Sequence, residues 1–135
     1  MKKITTIAAI AAVATMTELP QPASAHHSAA MFDDEINLQL EGTVTRFDYL
    51  NPHSWLYVDV RNEDGTTTEW GFELAAPPRL RRVGVSPNYW EPGDEVQIVT
   101  HPLRDGRPAG DLAASRNLTK ENEFGNVELI EAAAE

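Results

Sequence analysis

The chain has 135 residues, a formal net charge of -10 at neutral pH and no cysteine. That allows one small domain with a single core and removes disulfides, thiolate metal sites and cysteine nucleophiles together. An acidic surface repels nucleic acid and anionic lipid head groups, and attracts cations or basic partners.

Lys2 and Lys3 precede an apolar stretch from Ile4 to Val13, followed by Pro20, Pro22 and Ala23-Ser24-Ala25. This is the pattern of a secretory signal peptide over residues 1–25, cleaved after Ala25. The apolar run is too short to span a bilayer, and no later segment approaches the roughly 20 residues a membrane helix needs. The expected product is a soluble periplasmic protein of about 110 residues, with no membrane contact after cleavage. Losing Lys2, Lys3 and Glu18 takes its net charge from -10 to -11. Its new N-terminus is His26, followed by His27 and Ser28, at the head of an arm over residues 26–35.

The remainder reads as strands with one helical interruption. From Ile36 to Tyr49, Leu38 and Leu40 lie on one parity and Phe47 and Tyr49 on the other, so a bulge or bend is expected between Gly42 and Arg46. Ser54 to Arg61 alternates Leu56, Val58 and Val60 with Trp55, Tyr57 and Asp59, and Asn62-Glu63-Asp64-Gly65 is a hairpin turn into a third strand, Thr66 to Leu74. Pro77 to Gly84 can form a short helix with proline at its start and glycine at its end. A fourth strand runs from Glu95 to His101, and a turn around Arg104-Asp105-Gly106 leads to a fifth, Asp111 to Leu118. Residues 119–135 form a tail in which Phe124, Val127, Leu129 and Ile130 can pack before an Ala/Glu end that frays.

The order is that of an all-β protein with the barrel over residues 36–118: a small five-stranded OB-like Greek-key barrel with one short helix between strands 3 and 4. The competing layout is an SH3-like or other small barrel in which Pro77 to Gly84 is only a turn. The expected core includes Leu38, Leu40, Val58, Val60, Val96 and Ile98. Trp55, Tyr57, Trp70 and Phe72 either belong to that core or form an aromatic face for a ligand.

Several segments together resemble a family of small exported bacterial proteins, DUF 6152. They are His26-His27-Ser28, Met31-Phe32-Asp33, Gly42-Thr43-Val44, Asn51-Pro52-His53-Ser54-Trp55, Trp70 with Glu73, and the turns Pro92-Gly93-Asp94 and Arg104-Asp105-Gly106. The resemblance covers essentially the whole mature chain, and its most specific parts are the His-His-Ser start and Asn51-Pro52-His53. Tyr49-Leu50 stands where such chains often carry a tryptophan. The family's function is unassigned, so the resemblance implies no activity.

The chemistry therefore rests on four histidines. A free amine beside the His26 imidazole is a chelate. A second imidazole would complete a T-shaped brace, whereas the amine, a deprotonated amide and His27 would bind locally. Nitrogen-rich sites of either kind favour Cu(II) among first-row divalent ions. His53 is the best outside partner, because Asn51-Pro52 fixes its loop; its plain alternative is a turn residue that hydrogen-bonds the backbone. His101, before Pro102, reads as an exposed edge residue. The arm is long enough to fold back along the first strand toward His53, with Met31 and Phe32 as its apolar anchor. Asp33, Asp34 and Glu35 are either a weak hard-cation site or a solvated run, and Asp59, Glu69 and Glu73 alternate as solvated strand carboxylates do.

No catalytic set is recognisable, and the metal candidates are His26, His53 and His27. The leading expectation is a copper-binding or carrier protein. The alternative is a metal-free accessory module that contacts an exported enzyme, and a copper oxidase or monooxygenase is a third reading without a substrate groove legible in the sequence.

Overall fold

A computed structural model describes residues 29–132. The signal-peptide segment, His26, His27 and the extreme Ala/Glu end lie outside the described residues.

A single turn of 3-10 helix, Ala29–Met31, precedes the strands β1 (Leu38–Asp48), β2 (Ser54–Arg61) and β3 (Thr67–Leu74). Helix α1 (Pro77–Arg82) follows, then β4 (Glu95–Pro102), β5 (Ala109–Asn117), β6 (Asn122–Gly125) and helix α2 (Glu128–Ala132). β1 pairs antiparallel with β2 and β4, β2 with β3, and β4 with β5. A parallel pairing of β3 with β5 closes the ring. The protein is all-β, a closed five-stranded mixed barrel. Beyond the short parallel seam, β6 takes over the free edge of β5. Residues 122–132, read from sequence as tail, thus supply a sixth strand and a second helix.

The phase change in β1 is a bulge. Val44 pairs with Val58 and Arg46 with Tyr57, leaving Thr45 as the extra residue. Parity inverts there, so Leu40 and Val44 face inward before the bulge and Phe47 after it. Gly42 lets β1 press onto β2, since a Cβ at that position would meet the Asp59 carbonyl.

Val58, Val60, Val96 and Ile98 are buried as expected, and Leu40 packs against them partly exposed. Leu38 is a correction. It stands at the start of β1, is only half-buried and joins no core cluster. The largest fully buried side chain is Trp90. It lies edge-on to Phe47, Tyr89 and Phe124 and donates its indole N–H to the Ser115 hydroxyl at 3.1 Å. The aromatic quartet divides: Trp55 stacks on Tyr57 along the outward parity of β2, while Phe72 is core with Trp70 beside it. On the other side of the sheet, Ile130 of α2 packs with Val99 and Ala114.

Residues 77–82 are helical rather than a turn. Pro77 and Pro78 sit in the first turn, where their missing N–H groups leave no bond unmade. Gly84 follows with a positive φ of 84°. Leu80 is driven into the core, and the Tyr49 hydroxyl, 3.1 Å from the carbonyls of both Pro77 and Val85, shares its one proton between the start of the helix and the segment just after it.

Candidate functional site

A cleft of about 790 Å3 opens where β3 passes into α1. Buried Leu74, Leu80 and Leu112 line its base with Phe124 of β6, and exposed Arg79 of α1 and Val83 just after it form one lip. Pro52 and His53 of the β1–β2 loop and Phe32 of the N-terminal arm line it as well.

Phe32 explains how the arm is held. It is buried and forms an isolated antiparallel bridge with Leu103. Backbone bonds from Asp33 N–H to Pro102 and from Arg104 N–H to Met31 flank that bridge. The arm therefore docks on the β4–β5 connection rather than back along β1. Only Phe32 is the apolar anchor, since Met31 is exposed. Asp33 and Asp34 are not a free acidic run, because Arg104 lies 3.3 Å and 3.7 Å from their carboxylates.

His53 immediately precedes β2, after a cis Asn51–Pro52 peptide. Its Nδ1 contacts the Glu73 carboxylate. The cause is register: Ser54 pairs with Leu74 and Trp55 with Glu73, so the residue just before β2 falls beside the outward carboxylate at the end of β3. The Glu73 side chain is 11% exposed and that of His53 is 40%. Glu73 is thus not the solvated strand carboxylate expected from its alternation with Glu69, and His53 is not occupied with the turn backbone. A buried carboxylate that accepts from Nδ1–H fixes the imidazole tautomer and leaves the Nε2 lone pair available to a ligand.

Glu73 is also the register partner of Asp111 across the parallel seam, and Asp111 in turn is the partner of His101. His101 Nδ1 lies 3.6 Å from the Asp111 carboxylate, and His101 does not line the cleft. The third carboxylate of the cleft, Glu123, is held by Arg116 Nε at 2.7 Å. Glu123 and Glu131 raise the pKa of Arg116, so that clamp stays charged. Every carboxylate lining the cleft thus has a cationic or imidazole partner.

Among the described residues, no group of three or more His, Asp or Glu side chains is arranged to hold a metal ion. His53 would need ligands from elsewhere in the chain, and His26 and His27 lie outside the described residues. Among the described residues, no helix is long and apolar enough to cross a membrane. Sequence reasoning named His53 but missed its partner, and it missed the cleft altogether. The available signal was the β2–β3 hairpin register, which places Glu73 opposite Trp55.

No curated protein and no solved structure matches the chain. The profile of a family of unknown function, DUF6152, matches residues 12–112, spanning the arm, the Asn51-Pro52-His53 loop, Glu73 and the closing seam, and the chain belongs to that family.

Proposed function

We propose that the chain is an exported, periplasmic copper-binding or carrier protein in which the His26 amine and imidazole share one copper ion with His53. The observation that carries this reading is the contact between His53 and Glu73. A metal-bound imidazole characteristically donates its other ring N–H to a carboxylate, and Glu73 stands ready in that position. Reach is compatible as well: Phe32 lies six positions beyond His26, at most roughly 20–22 Å of extended chain, and Phe32 and His53 line the same cleft. The OB-like reading of the barrel belongs here too, supported by the ring order β1-β2-β3-β5-β4 and by a helix between β3 and β4.

The test begins with the intact mass of the periplasmic form, expected to start at His26. Copper titration with EPR on that material is expected to give one nitrogen-coordinated Cu(II) per chain, and a chain retaining Met before His26 is expected to lose it. Protons compete with the metal for its nitrogen ligands, so affinity falls as the solution is acidified. Tight binding that depends on His27 but not on His53 would replace the brace with a local chelate. Weak binding that depends on neither would leave the metal-free accessory module, a reading favoured by the exposed arginines of α1 beside the cleft.

A further inference from the structure

Among the described residues, Arg46, Arg61, Arg104, Arg107, Arg116 and Lys120 each lie within ion-pair distance of a carboxylate. Arg79, Arg81 and Arg82 have no such partner among those described residues, although the chain carries 21 acidic residues against 11 basic ones. All three are exposed on α1. A cation in the last turn complements the helix dipole, but a helix of six residues needs only one for that.

Arg79 and Arg82 are spaced i, i+3 and so share one side of α1, and Val83 follows directly as its C-terminal cap residue. Arg79 and Val83 form the lip of the cleft. Val83 is 64% exposed. Leu50, another exposed apolar side chain, sits in the loop packed against the start of α1, where Ser54 N–H donates to the Ala75 carbonyl and the Ser54 hydroxyl to that of Leu50. Unpaired guanidinium groups around exposed aliphatic side chains have the makeup of a protein contact surface, where arginine is enriched and its planar fork takes carboxylates in pairs.

We propose that this face of α1, with Leu50 and Val83, docks an acidic segment of another exported protein. Charge complementarity selects the occupant. The cleft's own carboxylates are already paired, whereas its arginine lip is open. A net negative chain that, among the described residues, gathers its unpaired cations on α1 also orients an acidic partner toward that helix during approach. This surface stands whether or not His53 binds copper.

The probe is a poly-glutamate peptide added to 15N-labelled processed protein at low ionic strength, without metal. Amide shifts are expected on α1, at Leu50 and along the lip of the cleft, and binding is expected to weaken steeply as salt rises. The variant R79A/R81A/R82A should weaken it about tenfold or more, while R61A/R107A, which removes two paired arginines, should change it by less than about twofold. All these positions are exposed, so thermal unfolding of each variant is expected to match wild type. Equal losses in the two variants, shifts away from α1, or no binding would each overturn the proposal. Binding of phosphatidylglycerol vesicles through the same arginines, with none to the peptide, would overturn it in favour of a lipid surface.

Discussion

Two histidine–carboxylate pairs flank the parallel seam, and they are built in opposite senses. In His53–Glu73 the carboxylate is buried and the imidazole stands half in solvent. In His101–Asp111 the imidazole is the more covered partner, 24% exposed against 50% for the carboxylate, and the separation is 3.6 Å. A buried carboxylate has few alternative donors, so it fixes the ring that reaches it. An exposed carboxylate is satisfied by water and fixes little. The same two residue types thus give a positioned imidazole facing a cleft in one case and a weak surface pair in the other.

The largest expected effect tests whether the cleft that sets the pairs apart depends on the docked arm. Phe32→Ala should cost about 2–3 kcal/mol of stability, the worth of a buried phenyl ring, while the exposed Met31→Ala should be nearly silent. Chemical denaturation of both variants checks this. Next, His53→Ala should lower copper affinity of the processed protein by about two orders of magnitude, and His101→Ala should leave it unchanged. Competition titration against a chelator of known affinity reads the difference, and equal losses would erase the contrast between the pairs.

Glu73→Gln should sharpen that contrast. The amide keeps the volume but loses the charged acceptor, so affinity should fall about tenfold, against little change for Asp111→Asn. The copper EPR parameters should shift for Glu73→Gln alone.

The smallest effect lies outside both pairs. The Thr66 hydroxyl and then its amide N–H donate to the Asp64 carboxylate and hold its pKa below the usual 3.8. The folded state therefore gains stability above that value and loses it as pH falls through the lowered one. The thermal midpoint of Asp64→Asn should sit slightly below wild type at neutral pH, and the gap should close in strong acid.

Most of the barrel is legible in the sequence because its signals are local. Leu56, Val58 and Val60 alternate cleanly, Asn62 to Gly65 is a turn by composition, and the parity slip in β1 announces the bulge at Thr45. β6 escapes because Asn122 to Gly125 contributes one apolar side chain, Phe124, too little to establish a period. Trp90 escapes for a related reason, since it lies in a connection with no alternation around it. The site is half legible. His53 stands out beside Asn51-Pro52, but its partner depends on strand register and the cleft on how β3, α1 and β6 converge, none of which is written in neighbouring residues.

The seam that closes the barrel consists of three register pairs, Gly71 with Ala109, Phe72 with Gly110, and Glu73 with Asp111, whereas β2 and β3 share eight. A ring zipped by so few rungs has a preferred place to part. Amide protons between β3 and β5 should exchange with deuterium before those between β1 and β2, even though Phe72 is fully buried. Because Glu73 lies on that join and the arm is docked on the β4–β5 connection, a ligand shared between His53 and the arm would work as a latch across it, and slower exchange at Gly71 to Glu73 would report the latch closing from inside the barrel wall.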